Sequence, residues 1–144
     1  MSRSAELARL VAFYETIDAA TLHVRLAAVY ARDARFKDPF NDVQGHAAIA
    51  GIFAHMFNQV DNPGFHVITG IQQGRDAFVT WEFRFRMKRY SKELQCIRGA
   101  SHIVFDDAGL VQAHRDYWDA AEELYEKIPL LGAFMKLLKR SAAR

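Results

Sequence analysis

Val79-Thr80-Trp81-Glu82-Phe83-Arg84-Phe85-Arg86-Met87-Lys88 alternates apolar and polar residues without a break. A strand sends successive side chains to opposite faces, so Val79, Trp81, Phe83, Phe85 and Met87 share one side. Thr80, Glu82, Arg84, Arg86 and Lys88 share the other, which predicts a half-buried strand. The period of two extends outward from it. Upstream, across Gly74, Phe65, Val67, Thr69 and Ile71 alternate with His66, Ile68 and Gln72. Downstream, a polar turn at Tyr90-Ser91-Lys92 leads to a strand from Gln95 to Phe105. Asp106-Asp107-Ala108-Gly109 then forms a hairpin to a last strand, Leu110 to Trp118.

Before this meander the period is 3.6. Leu7, Leu10, Val11, Tyr14 and Ile17 line one helix face, and Asp18 stops it. A second helix carries Leu22, Leu26, Val29 and Tyr30, followed by a strand from Ala34 to Asp38 and a turn at Asn41-Asp42. The third helix begins near Gly45 and carries Ile49, Ile52, Phe53, Met56, Phe57 and Val60 as an apolar stripe. Asp61-Asn62-Pro63-Gly64 ends it, because proline and glycine together break a helix. After the meander, Ala120 to Lys127 reads as a helix, Pro129 interrupts it, and Leu130 to Arg140 forms a basic amphipathic tail. The expected architecture is α+β: three N-terminal helices packed on one face of a curved antiparallel sheet. One domain spans 1–144, with 119–144 as a C-terminal helical extension.

The 144 residues suffice for one domain with a real core, and 51% are hydrophobic. Eleven phenylalanines favour an enclosed pocket as well as a core. A net charge of +2 does not indicate nucleic acid. The single cysteine, Cys96, excludes an internal disulfide framework and fits the reducing cytoplasm. No apolar run approaches the roughly 20 residues a membrane span requires. The six histidines form no metal-ligand spacing, and there is neither a glycine-rich phosphate loop nor a nucleophile elbow, so no metal or cofactor is expected.

Two runs carry the chemistry: Arg35-Phe36-Lys37-Asp38-Pro39-Phe40 and His114-Arg115-Asp116-Tyr117-Trp118-Asp119. Strand parity puts Asp38 beside Phe36, and Asp116 beside His114 and Trp118. An acid among aromatics is costly to ionise, which suits a general acid or base. The structural alternatives are a turn started by Asp38 before Pro39, and an arginine pair for Asp116. A turn near Ser91 sets Phe83 opposite Gly99 and Trp81 opposite Ser101. The next hairpin then sets Gly99 opposite Asp116 and Ser101 opposite His114. Both acids thus face one concavity, with Gly99 leaving room beside Asp116.

Tyr14, Ala31-Arg32-Asp33-Ala34 and Phe36-Lys37-Asp38-Pro39, with Gly45 before Ala48-Ile49, resemble the NTF2-like superfamily over the chain up to about Asp119. That cone-shaped α+β fold includes ketosteroid isomerases, SnoaL-type polyketide cyclases and limonene epoxide hydrolases. The resemblance implies that Asp38 moves a proton and Tyr14 stabilises an enolate oxygen, as the matching residues of the isomerases do. Ser101 stands where the isomerases carry a second, protonated acid. Arg115-Asp116-Tyr117 resembles the epoxide hydrolases, whose aspartate there activates water. Their strand arginine and second aspartate fall at Phe83 and Phe85, and their amide falls at Asp38. The chain thus matches one member of each catalytic set.

The combined expectation is an enzyme working by acid/base chemistry on a small apolar molecule in the cone. Asp38, Asp116, Tyr14 and His114 are its catalytic candidates. Phe36, Phe53, Trp81, Phe83, Phe85, Ser101 and Trp118 are its substrate-binding candidates. The alternative is a non-catalytic module that binds an apolar ligand or a partner protein. The outer sheet face, with Arg84, Arg86 and Arg98 among Ile68 and Val104, suits a homodimer.

Overall fold

The computed structural model describes residues 3–88 and 93–125. Helix α1 (Ala5–Glu15) starts at Ser4, whose side chain accepts the Leu7 N–H at 3.2 Å. It buries Leu7, Leu10, Val11 and Phe13. Asp18 accepts the backbone N–H and hydroxyl of Thr21 and so orders the turn into α2 (Leu22–Val29). Strand β1 (Tyr30–Lys37) follows α2 without a loop. Tyr30, expected in the helix, is already extended at φ −101° and ψ 141°. It is fully buried, because both the helix stripe and the strand turn it towards the core.

Strand β2 (Asp42–Gln44) leads to α3 (His46–Gln59) through Gly45, whose φ of 93° a side chain would resist. Val60, expected to close the α3 stripe, is instead the first residue of strand β3 (Val60–Gln73). The Asp61–Gly64 breaker is an irregularity inside that strand, with Asn62 at positive φ. Strands β4 (Asp76–Met87), β5 (Leu94–Phe105) and β6 (Val111–Tyr117) complete one sheet in the order β2-β1-β6-β5-β4-β3. All neighbours are antiparallel except β1 and β6, which run parallel. The first strand therefore lies beside the last, and the α+β cone is closed by a pairing that a simple meander lacks.

On β4 the alternation holds as expected: Val79, Trp81, Phe83 and Phe85 are buried in one core cluster with residues of α1 and α3. On β3 it fails beyond Val67, because Ile68 is an extra residue between the Val67–Trp81 and Thr69–Thr80 pairs. This bulge turns Thr69 and Ile71 outward, against expectation, and Gly70 inward, where an added Cβ would meet Leu7 at 3.5 Å. The Glu15 carboxylate accepts the Val67 N–H beside the bulge at 3.2 Å, tying the end of α1 to the strand.

Both hairpins differ from the expected register by two residues. Trp81 faces Gly99 and Val79 faces Ser101, while Ser101 faces Asp116 and Ile103 faces His114. A shift of two preserves which face each side chain occupies. Gly99 accordingly serves Trp81 rather than Asp116: a Cβ there would come within 2.5 Å of two indole carbons. The turn at Tyr90-Ser91-Lys92 and the tail from residue 126 lie outside the described residues. Of the expected C-terminal helix, Ala121–Tyr125 form a single π-helical turn, capped by Asp119. Among the described residues, no helix is long and apolar enough to cross a membrane.

Candidate active site

Four elements place polar side chains inside an otherwise apolar cone. Strand β4 carries Trp81, β5 carries Ser101, and β6 carries His114 and Asp116 on its inner face. Helix α1 contributes Tyr14, and the start of β1 contributes Tyr30. The Trp81 indole N–H donates to Ser101 Oγ at 2.8 Å. Ser101 then directs its own proton to Asp116 Oδ1. His114 Nε2 meets the same oxygen at 2.6 Å. With Nε2 donating, Nδ1 of a neutral His114 accepts, and the Tyr30 hydroxyl lies 2.7 Å from it. The Tyr14 hydroxyl bonds that of Tyr30 and stands 3.3 Å from Nδ1.

The result is one hydrogen-bonded line from Trp81 to Tyr14. Burial pushes both phenols well above the usual tyrosine range, with neighbouring Asp116 acting in the same direction. Both therefore remain neutral hydroxyls at ordinary pH. Phe36 packs against His114 with ring centres 4.7 Å apart, and Tyr30 stacks on it at 6.0 Å. The imidazole is thus fixed by packing as well as by hydrogen bonds.

The Asp116 carboxylate uses its two oxygens differently. Oδ1 takes both buried donors, whereas no hydrogen bond among the described residues reaches Oδ2. No buried side-chain polar atom there lacks a partner, so Oδ2 is open. The side chain is 18% exposed. It borders two spaces. An inner cavity of about 20 Å³ is walled by Leu10, Tyr14, Phe65, Val67, Trp81 and His114, among others. An outer cleft of about 570 Å³ is lined by Lys37, Asp38, Pro39 and residues 115 to 119.

The structure gathers Tyr14, His114, Asp116, Ser101 and Trp81 into this assembly and separates the other sequence candidates from it. Asp38 lies half-buried in the outer cleft. Its Oδ1 accepts the N–H groups of Phe40 at 2.8 Å and Asn41 at 2.7 Å, and the Asn41 amide spans both oxygens. The Asp-Pro turn occupies it, as the structural alternative for that residue anticipates. Trp118 also lines the outer cleft, edge-on to Phe40. Phe36, Phe53, Phe83 and Phe85 are core residues that line neither space. Tyr30 is the member that the sequence did not disclose. Its partner His114 stands 84 residues away, and local pattern makes it an ordinary core tyrosine.

The SnoaL-like domain model matches residues 10–114, well over half of the chain and including Tyr14, Tyr30, Ser101 and His114. The chain belongs to the SnoaL-like family. No curated protein matches it significantly. Solved structures similar to this SnoaL-like chain share its fold at low identity. A protein with a ketosteroid isomerase-like fold from Catenulispora acidiphila, in complex with trimethylamine, superposes with a TM-score of 0.72 at 13% identity, covering 85% of this chain and 92% of that one. An NTF2-like protein of unknown function from Burkholderia pseudomallei gives 0.72 at 17% identity, covering 83% and 95%. An LEH-like epoxide hydrolase from M. tuberculosis gives 0.65 at 14%, covering 94% and 89%. These likenesses support the SnoaL-like cone and leave the chemistry to the site itself.

Proposed function

We propose that this SnoaL-like protein is an enzyme acting by acid/base chemistry on a small, largely apolar molecule, with Asp116 as its proton-transfer group. The observation that carries this reading is the buried line of donors ending on a carboxylate with one oxygen open. Ser101 and His114 both hold Oδ1, which leaves Oδ2 as the carboxylate oxygen available to a substrate. Proton transfer to a positioned carboxylate is worth about 10²- to 10⁴-fold in rate. His114 and Tyr30 orient that carboxylate. Tyr14, whose hydroxyl proton can turn from Tyr30 towards the cavity, is the group suited to meet developing negative charge. Asp38 belongs to the rim.

The working unit is a homodimer formed through the outer sheet face. Supporting this are Ile68, Ile71, Phe78 and Leu94, all more than half exposed there. The Arg84–Glu82 pair beside them suits a moderately polar interface.

The test uses 2-tetralone, an enolisable ketone, in D₂O. The wild-type protein is expected to accelerate exchange of its α-protons, as followed by proton NMR. Asp116→Asn is expected to slow that exchange about 10²-fold or more. Undiminished exchange in this variant rejects the reading. Mass spectrometry of ligand retained through purification then guides the choice of natural substrate.

A further inference from the structure

The inner cavity beside Asp116 measures about 20 Å³, room for one water or a group of that size. The protons of the hydrogen-bonded line are all committed within it. Trp81 donates to Ser101, and Ser101 donates to Asp116 Oδ1. At the other end, His114 Nε2 donates to the same oxygen, so a neutral imidazole accepts at Nδ1. Tyr30 then donates to Nδ1 and accepts from Tyr14. Both ends of the line thus direct their protons towards Oδ1. What is left for the cavity is acceptors: Asp116 Oδ2 and a lone pair on the Tyr14 oxygen.

The charge is equally one-sided. With His114 neutral, Asp116 carries the one formal charge on the line. Among the described residues, no lysine or arginine lines the cavity. Phe65 stands edge-to-face with both Tyr14 and Trp81, with ring centres 5.3 and 6.0 Å apart. Rings gathered around a small space attract a cation through the negative potential of their faces. Asp116 also borders the outer cleft, where Asp38 and Asp119 are the other acids. Lys37 and Arg115, paired in register, alternate to the sheet face opposite His114 and Asp116. A cation arriving from that side meets net negative charge.

We infer that the inner cavity receives an ammonium group, carried by the free ion or by a small primary amine. Its N–H groups supply donors for Oδ2 and for the Tyr14 oxygen, and its charge meets the carboxylate. A neutral alcohol of the same size brings the donor without the charge. A quaternary ammonium brings the charge without the donor, and it is too large for the space.

This rests on the acid/base reading for the part played by Asp116, and names the chemical class on which that group acts. In the step itself, a proton moves from nitrogen to Oδ2. Nitrogen keeps the bonding pair as the free amine, and return of the proton restores the ammonium group.

The probes are the chlorides of methylammonium, ammonium and tetramethylammonium, together with methanol. Each is titrated into ¹⁵N-labelled protein at constant ionic strength, and binding is read from amide shifts. Saturable shifts at Phe65, Val67, Ser101 and Asp116 are expected with methylammonium or ammonium, and the tighter of the two identifies the source as amine or free ion. Methanol and tetramethylammonium should bind at least about tenfold more weakly. Asp116→Asn keeps the shape of the side chain and should weaken the preferred cation about tenfold or more. Tyr14→Phe, which removes the second acceptor, should weaken it about threefold or more. Thermal melts confirm that both variants fold, and the comparison of methylammonium with methanol needs no variant. Methanol or tetramethylammonium binding as tightly as the preferred cation, unchanged affinity in Asp116→Asn, or no saturable binding would each overturn the inference. Exchange of 2-tetralone protons tests the acid/base reading separately. If that exchange survives in Asp116→Asn while methylammonium binds as expected, the proton step fails and the binding assignment stands. If exchange depends on Asp116 and neither cation binds, the assignment alone fails.

Discussion

His114 and Asp116 stand two positions apart on one strand and are joined side chain to side chain, Nε2 to Oδ1, at 2.6 Å. Neighbours on the same strand face seldom bond directly, since their Cβ atoms are set apart by the pleat. Here Phe36 packs against the imidazole at 4.7 Å and 44°, while the Tyr30 hydroxyl holds its other nitrogen, Nδ1, at 2.7 Å. His114→Asn removes the donor to Oδ1 and the acceptor for Tyr30 together. Exchange of 2-tetralone protons should fall at least about tenfold, less than the loss in Asp116→Asn, because the Asp116 carboxylate, the proposed proton-transfer group, remains.

Tyr30→Phe deletes one hydroxyl from the middle of the line. It leaves His114 Nδ1 and the Tyr14 hydroxyl with only their longer contact to each other, 3.3 Å, in a dry interior. Stability should drop by about 1–3 kcal/mol, the cost of an unsatisfied buried polar group. Urea midpoints of the variant and wild type measure it. An unchanged midpoint would show that the hydroxyl contributes nothing to the fold.

Alkaline pH acts through the same pair. Tyr14 and Tyr30 titrate well above ordinary phenols because burial penalises their charged forms. Below about 10, the unfolded phenol value, both states keep the proton and the stabilising contribution is complete. As pH rises above that value, the unfolded chain releases protons that the folded chain retains, so stability falls. The double variant Tyr14→Phe/Tyr30→Phe should show a shallower decline of urea midpoint with rising pH than wild type.

Gly99→Ala tests the close approach beneath the Trp81 ring. The new methyl has no space, since indole carbons lie where it must go. Overpacking of this kind costs about 1–3 kcal/mol. Displacing the ring also breaks its bond to Ser101. A lowered melting temperature together with a shifted tryptophan emission spectrum is the expected result.

Asp38→Ala distinguishes the turn role from the base role. Losing the cap for Phe40 and Asn41 should cost about 1 kcal/mol. Proton exchange should stay within a few-fold of wild type. A loss as large as that in Asp116→Asn would return the base to Asp38.

What the sequence discloses follows from how local each signal is. The β4 face from Val79 to Met87 is legible because period two is written in adjacent residues. The faces of β5 and β6 are legible because parity survives a register shift of two, which is why His114, Asp116 and Ser101 emerge as inward groups. Their actual partners do not emerge. Trp81 opposite Gly99 depends on the geometry of the hairpin, which hydrophobic pattern leaves free to slide in steps of two. The Ile68 bulge is invisible for a similar reason: an inserted residue looks like a continued alternation until the facing strand is known. Asp38 is ambiguous from sequence, because Asp-Pro suits a turn cap and an isomerase base equally well.

The parallel pairing of β1 with β6 sets the order in which this protein can come into being. Tyr30 and His114 are 84 residues apart, and Phe36, paired with Val43 on one side, meets its other strand partner only at His114. A growing chain that has passed Phe105 can pair β3 with β4 and β4 with β5, yet β1 has no neighbour on that side. Contacts of such long range are costly to close and slow to form. The hydrogen-bonded line from Trp81 to Tyr14 is therefore among the last things the chain assembles, and folding and completion of that line coincide.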